Sequence, residues 1–194
     1  MNTDSSPETP TPDLEHYRVT GYSPGGNAVS RILWYYVNAL IFNSALFPIY
    51  GLKRALLRWF GAQIGKGVVI KPDVNIKYPW RLKVGDFSWI GEGVHIDNLA
   101  NVAIGANACV SQEAYLLTGN HDYTAVEFTL ITGEIVLEDG AWVGARSIVC
   151  PGRTMRRNAI LTAGSVLTRD AEANGIYAGN PAVLVRQRLV KNHD

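Results

Sequence analysis

His121 stands in the stretch LLTGNHDYTAVEFTLITGEI, residues 116–135, next to Asp122 and close to Glu127. A neutral imidazole can take a proton from an incoming hydroxyl, and its ordinary pKa of about 6.5 suits that work near neutral pH. Asp122 and Glu127 are both candidates to orient the ring, and their spacing ranks neither. The competing reading is a loop histidine that only caps a turn. Other chemistries are poorly supplied. A catalytic zinc needs three protein ligands, and the central part of the chain offers only His95 and His121. His16 and His193 lie in polar tails and receive no role. Cys109 and Cys150 are the only cysteines, 41 positions apart, without CxxC spacing. They read as two small half-buried side chains in a reducing, cytoplasmic compartment. The run GAQIGKG lacks both the spacing and the final Ser or Thr of a phosphate loop. With 18 basic and 17 acidic residues and no basic stripe, nucleic acid is excluded as a partner.

The elements that must hold His121 are written in a six-residue beat. Stepping by six gives Ile64, Ile70, Ile76; then Val84, Ile90, Ile96; then Ile104, Val110, Leu116; then Leu137, Val143, Val149; then Met155, Leu161, Leu167. Four residues after most of these comes a small side chain: Val68, Val74, Ser88, Val94, Ala100, Ala108, Ala114, Ala141, Ser147, Ala159, Ser165 and Ala171. A helix needs a period of 3.6 and a plain strand a period of two. A strict six fits a short strand plus a corner, three of which close a triangular coil. Stacked coils pair their strands in parallel and bury each aliphatic against the coils above and below, so no repeat is stable alone. The first two groups carry two extra residues each, which should bulge at one corner. After Leu116 the beat stops for 21 residues before Leu137, where six would suffice. A loop of that length in a compact domain is either functional or disordered.

The flanks are different in kind. The 194 residues suffice for one domain with a sizeable core. MNTDSSPETPTPD has no apolar run after a basic start, so it is not a signal peptide, and residues 1 to about 15 read as disordered. Residues 1–30 form a tail. Residues 31–60 form an apolar helical segment, since ILWYYVNALIFNSALFPIYGL, from Ile32 to Leu52, carries no charge. Three readings stay open for it: a helix packed on the main domain, a segment resting on a membrane surface, or a true span. Lys53, Arg54 and Arg58 follow, beside Trp59 and Phe60.

The hexapeptide beat, with the segments FGAQIGKGVVIKPDVNIKYPW, WIGEGVHIDNLANVAIG, CVSQEAYLLTGNHDY, AWVGARSIVCPG and GNPAVLVRQR, resembles the hexapeptide-repeat acyltransferases. Among these it is most similar to the colanic-acid-type exopolysaccharide O-acetyltransferases. The resemblance implies a left-handed parallel β-helix of about five triangular coils over residues 61–172, with an inserted loop at 117–136. A Gly-Asn-Pro turn and a short capping helix are expected within 173–194. The sequence departs from the family pattern at PGRTMR, where Arg153 and Arg156 occupy positions usually small or glycine, so local packing should differ there.

The resemblance also implies a reaction. His121 would be the general base that moves acetyl from acetyl-CoA to a hydroxyl of a saccharide, with no metal required. The chain would form a homotrimer, with the pantetheine arm lying between neighbouring β-helices. The matching cofactor positions are Trp142, Ala145, Ala163, Thr168, Arg169 and Arg186. Small alanines would let the arm approach the backbone, and arginines would pair with phosphates. A second basic residue that the family often carries is Val183 here. Asp97 and Asn98 would hold the acceptor sugar. A peripheral contact of residues 31–60 would put the protein at the inner face of the membrane. The rivals are an acetyltransferase for a free sugar or other hydroxyl compound, a non-catalytic scaffold on the same β-helix, and a zinc hydrolyase of the γ-carbonic-anhydrase type.

Overall fold

The computed structural model describes residues 10–15, 17–19 and 21–189. His16 and His193 lie outside the described residues, as do residues 1–9 of the tail read as disordered. The centre is a parallel β-solenoid of triangular coils. Coil 1 has strands Gln63–Ile64, Val69–Ile70 and Asn75–Ile76. Coil 5 ends with Thr154–Met155, Ile160–Leu161 and Val166–Leu167. Strands of successive coils stack into three faces, and the partners run Ile64, Val84, Ile104, Leu137, Met155 on the first face. A sixth, partial coil adds a bridge from Ala171 to Met155 and the strand Gly175–Gly179 on the second face. All fifteen aliphatic positions of the beat are buried, none more than 8% exposed. The small positions four residues later are buried with them, except Ala100, which is half-buried. The six-residue spacing therefore turns one large and one smaller side chain inward per strand, and Leu82, Val102 and Ile135 add to the core where the first-face strands are a residue longer.

The departure at PGRTMR is accommodated outside the core. Met155 is fully buried, while Arg156 reaches Glu172 at 3.2 Å and Arg153 donates to the Pro151 carbonyl at 3.1 Å.

The first coil has an open edge, and the helical segment covers it. Helix α1 spans Ala28–Val37, starting from Asn27, whose side chain accepts the Ser30 N–H at 2.8 Å. A π-helical turn, Asn38–Phe42, and helix α2, Tyr50–Trp59, follow. Trp34, Phe42 and Leu57 plug the core end. Polar groups then satisfy the coil's free backbone. Arg58 donates to the Ile64 carbonyl, Arg54 to Val68, Lys53 to Lys71 and the Trp34 indole to Ile76, all within 3.0 Å. Burial holds the Lys53 ammonium below its ordinary pKa. The basic residues after the apolar run thus face the protein. Neither helix is long enough to span: ten residues rise about 15 Å against about 30 Å of hydrocarbon.

The other end is closed by strands, which corrects the expected capping helix. Gly175–Gly179 extends the second face in parallel, and Ala182–Gln187 folds back on it antiparallel, with Gly179 paired to Ala182. The edge of a sheet offers unpaired N–H and C=O groups along a straight line. A returning strand matches that line and a helix does not. The β-branched Val183 and Val185 suit it. Arg188 then pins the hairpin's end by donating to the carbonyls of Gly140 and Asn158.

Candidate functional site

Every departure from the six-residue beat falls at one corner, between the third and first faces. Coil 1 places the turn Pro79–Arg81 there, coil 2 the residues after Asp97, and coil 3 the whole insertion. Side chains stitch these bulges together. Asn98 accepts the Tyr78 N–H at 2.9 Å and donates to the Tyr78 carbonyl at 2.6 Å. Thr118 donates to the Asp97 carbonyl at 2.7 Å and accepts the Ala100 N–H at 3.0 Å. Asn98 is fully buried, so the expectation that it holds a sugar is overturned: both ends of its amide are consumed in fixing the coil below. Asp97 lies on the outer side, with its carboxylate 2.9 Å from the Lys77 ammonium and its side chain 16% exposed. His95 packs against the Tyr115 ring at 4.8 Å, and burial lowers its pKa.

The insertion begins as a hairpin. Gly119–His121 pairs antiparallel with Leu130–Thr132, setting His121 opposite Leu130. The imidazole is half-buried and stacks flat on the Phe128 ring, 4.4 Å between centroids and 5° apart in plane. Its Nδ1 lies 2.8 Å from the Phe128 carbonyl. A carbonyl only accepts, so Nδ1 carries the proton and the neutral ring presents a bare Nε2. Phe128 has φ of 47°, a left-handed conformation that costs a side-chain-bearing residue about 1–3 kcal/mol. This strained residue supplies both the carbonyl and the stacking ring. Neither carboxylate expected to orient the histidine does so. Asp122 accepts from the Thr124 N–H and hydroxyl at 3.0 and 2.6 Å, bonds that hold its carboxyl below the usual range. Glu127 is exposed.

A strap from the N-terminal tail crosses this corner. The Asp13 N–H donates to the Val126 carbonyl at 2.9 Å, and Tyr17 meets the imidazole edge-on at 5.7 Å. Further along, Trp80 donates to the Pro24 carbonyl at 2.9 Å and Arg81 to the Ser23 carbonyl. Gly25 and Gly26 both have positive φ, and a Cβ on either would lie within about 3 Å of the Trp80 indole, so only glycine lets the strap sit this close. The described part of the expected tail is therefore docked. The Tyr22 hydroxyl is buried beside Tyr78, and burial pushes its pKa up to about 12.

A second feature lies on the second face and its far corner. A groove of about 400 Å³ is lined by Ser111, Gln112, Trp142, Ala145, Ala163 and Arg186, with Ile160 and Ile176 as its floor. Trp142 is 45% exposed and is held upright by its N–H on the Ser111 hydroxyl at 2.8 Å. Gly144 keeps the wall thin: a Cβ there would lie 2.5 Å from the Ala163 nitrogen. Arg186 reaches the groove from the closing hairpin. Four positions expected for the cofactor thus come together, although 44 residues separate Trp142 from Arg186. Thr168 and Arg169 do not join them. They are exposed at the next corner, outside the groove lining. Ser111, Gln112 and Ile176 were not singled out in the sequence, because in a hexapeptide repeat they are ordinary outward positions. Tyr17 and Phe128 were missed for want of any local signal. Cys109 and Cys150 are free and half-buried, and burial raises both thiol pKa values. Among the described residues, no group of three His, Cys, Asp or Glu could hold a metal ion.

Comparison with known proteins bears on both features. No family model matches the chain. The protein named colanic acid biosynthesis acetyltransferase WcaF, of Escherichia coli K12, is 40% identical over 177 residues, covering 91% of this chain and 97% of its own. A hexapeptide-repeat acetyltransferase of Vibrio cholerae O1 biovar eltor, solved with acetyl-CoA, superposes with a TM-score of 0.75 at 21% identity, over 84% of this chain and 88% of that one. A galactoside acetyltransferase solved with coenzyme A gives 0.73 at 21% identity, over 82% and 80%. These neighbours are left-handed β-helices, and the solenoid here has the same fold.

Proposed function

The chain belongs to the hexapeptide-repeat acetyltransferases of the colanic acid biosynthesis group, and from that premise we propose that it acetylates a sugar hydroxyl with His121 as general base. The protein is an acetyl-CoA-dependent acetyltransferase. The observation that carries the proposed role of His121 is the bond from Nδ1 to the Phe128 carbonyl, which leaves Nε2 as the acceptor. An alcohol is a poor nucleophile until its proton is removed. Nε2 takes the hydroxyl proton as the oxygen attacks the thioester carbonyl. The carbon–oxygen bond forms, the carbon–sulfur bond breaks, and the departing thiolate recovers the proton from the imidazolium. The ester and free coenzyme A leave, and the ring returns to its starting tautomer.

Acetyl-CoA would lie in the groove, with its pantetheine arm along Ala145 and Ala163 and its phosphates at Arg186. Within one chain that groove and His121 stand at different corners of the triangle, so one copy does not complete the reaction centre. This supports a homotrimer in which one protomer's groove faces its neighbour's histidine. Asp97, on the His121 side, and the ring of Tyr17 offer polar and stacking contacts for a saccharide. The donor and the unpaired cysteines support a cytoplasmic location, and the WcaF relative supports an exopolysaccharide acceptor.

The test is an acceptor screen with acetyl-CoA, scored by thiol release and mass of the product, over free and lipid-linked saccharides. An O-acetylated saccharide is expected. Thiol release with amines alone, or with no acceptor preference, would overturn the reading.

A further inference from the structure

The helical segment at the first coil is turned inside out. Its cations face the protein, where Lys53, Arg54 and Arg58 donate to first-coil carbonyls. Trp34, Phe42 and Leu57 point into the core, but six other large apolar side chains face away from it. Ile32 is 59% exposed, Tyr35 69%, Tyr36 58%, Leu40 65%, Leu46 82% and Trp59 75%. A helix that faces water keeps its apolar stripe inward. A patch of this extent marks a surface that something covers.

Charge selects what covers it. Residues 16–72 hold seven basic side chains, Arg18, Arg31, Lys53, Arg54, Arg58, Lys66 and Lys71, and no Asp or Glu. Residues 73–194 hold eleven basic and thirteen acidic ones, a net of 11 − 13 = −2. Asp73 acts on the Lys53 ammonium, and the remaining cations, even those turned inward, leave a positive potential within a Debye length of the patch. A second copy of this segment would bring the same positive charge, which opposes pairing. An anionic lipid surface brings the opposite one, at about 1 kcal/mol per basic residue near the headgroups. Tyrosine and tryptophan, with an apolar ring and a polar tip, suit the headgroup level. The helices are too short to cross, so the segment lies on the surface.

We propose that residues 28–60 dock this protein onto an anionic bilayer, with the outward side of α1 and the turn after it buried among the headgroups. Under the sugar-acetyltransferase reading, which the following assay does not need, docking would bring the site to a lipid-borne saccharide.

The full chain is sedimented with vesicles of phosphatidylcholine containing about a third phosphatidylglycerol, and with phosphatidylcholine alone. Preferential binding to the anionic vesicles is expected, weakening as salt rises. The triple variant Ile32→Glu, Tyr36→Glu, Leu40→Glu should lose on the order of tenfold in partitioning, with an unchanged circular dichroism spectrum. Leu46→Glu with Trp59→Glu is the second variant, should the first not fold. Failure of the full chain to bind anionic vesicles overturns the proposal. So does binding by a folded variant at the wild-type level. Loss in the variant of an assembly that the wild type forms without lipid would assign the patch to a second copy instead.

Discussion

The second face and the corner between the third and first faces are built by the same coils, yet they carry different kinds of residue. On the second face the five coils keep the repeat, and only the closing hairpin departs from it. Trp142, Ala145 and Ala163 occupy ordinary outward or corner positions, and the groove exists because small side chains and Gly144 thin the wall. At the corner everything departs from it. The first three coils add residues there, buried Asn98 and Thr118 spend their polar groups holding the additions, and the longest addition lifts His121 clear of the flat faces. A long, thin donor suits a regular surface. A base needs a defined tautomer and shelter, and a repeat of identical flat strands supplies neither.

The sharpest way to break the comparison is at the corner proposed to be reactive. His121→Ala should reduce turnover by about 10²–10⁴, the usual share of a general base, with acetyl-CoA affinity almost unchanged. Melting temperature should hardly move, since the ring packs on the hairpin and the strap and is not in the solenoid core. Because only the neutral ring accepts a proton, the wild-type rate should fall on the acid side, and the variant should lack that limb. Substantial turnover with the limb retained would remove His121 from the mechanism.

A core change should do the reverse. Ile90→Ala, between the first and third coils on the second face, should cost about 2–5 kcal/mol of stability, because the stacked coils leave little room to collapse around the gap. Chemical denaturation measures it. A loss below about 1 kcal/mol would mean that the coils repack freely.

At the donor end, Arg186→Ala should raise the acetyl-CoA KM more than it lowers kcat, by about 1.5–3 kcal/mol if a charge-assisted hydrogen bond is lost. An unchanged KM would return Arg186 to the solvent. The smallest effect is expected at the strap. Tyr17→Ala removes an edge-on contact of about 0.5–1.5 kcal/mol. It should raise the acceptor KM several-fold and leave the acetyl-CoA KM alone. An equal change in both would show that the strap steadies the fold and not the acceptor side.

Much of this division is written in the chain. Spacing at six, with small residues four later, is enough to set the coils, because each strand turn brings that pair inward to be covered by the coils above and below. The interrupted beat is enough to single out the inserted loop, which carries His121, the proposed base. What the spacing cannot carry is contact between distant residues. Phe128, and not Asp122, holds the imidazole, and that requires a left-handed backbone at Phe128 which no residue type there announces. Asn98 looked like a ligand group because an amide at a bulge is polar either way, and only burial distinguishes a staple from a binding group.

The two ends of the solenoid give the clearest separation. Sequence by itself determined the core, since each inward position is filled by local rules repeated coil after coil. Tertiary structure alone decided how the edges close. Val183 to Gln187 became a strand because an open sheet edge lay beside it. Lys53, Arg54 and Arg58 turned inward because the first coil's carbonyls lay beneath them. Unpaired backbone groups exist only once the coils have formed, and it is their demand for partners that assigned these residues their places.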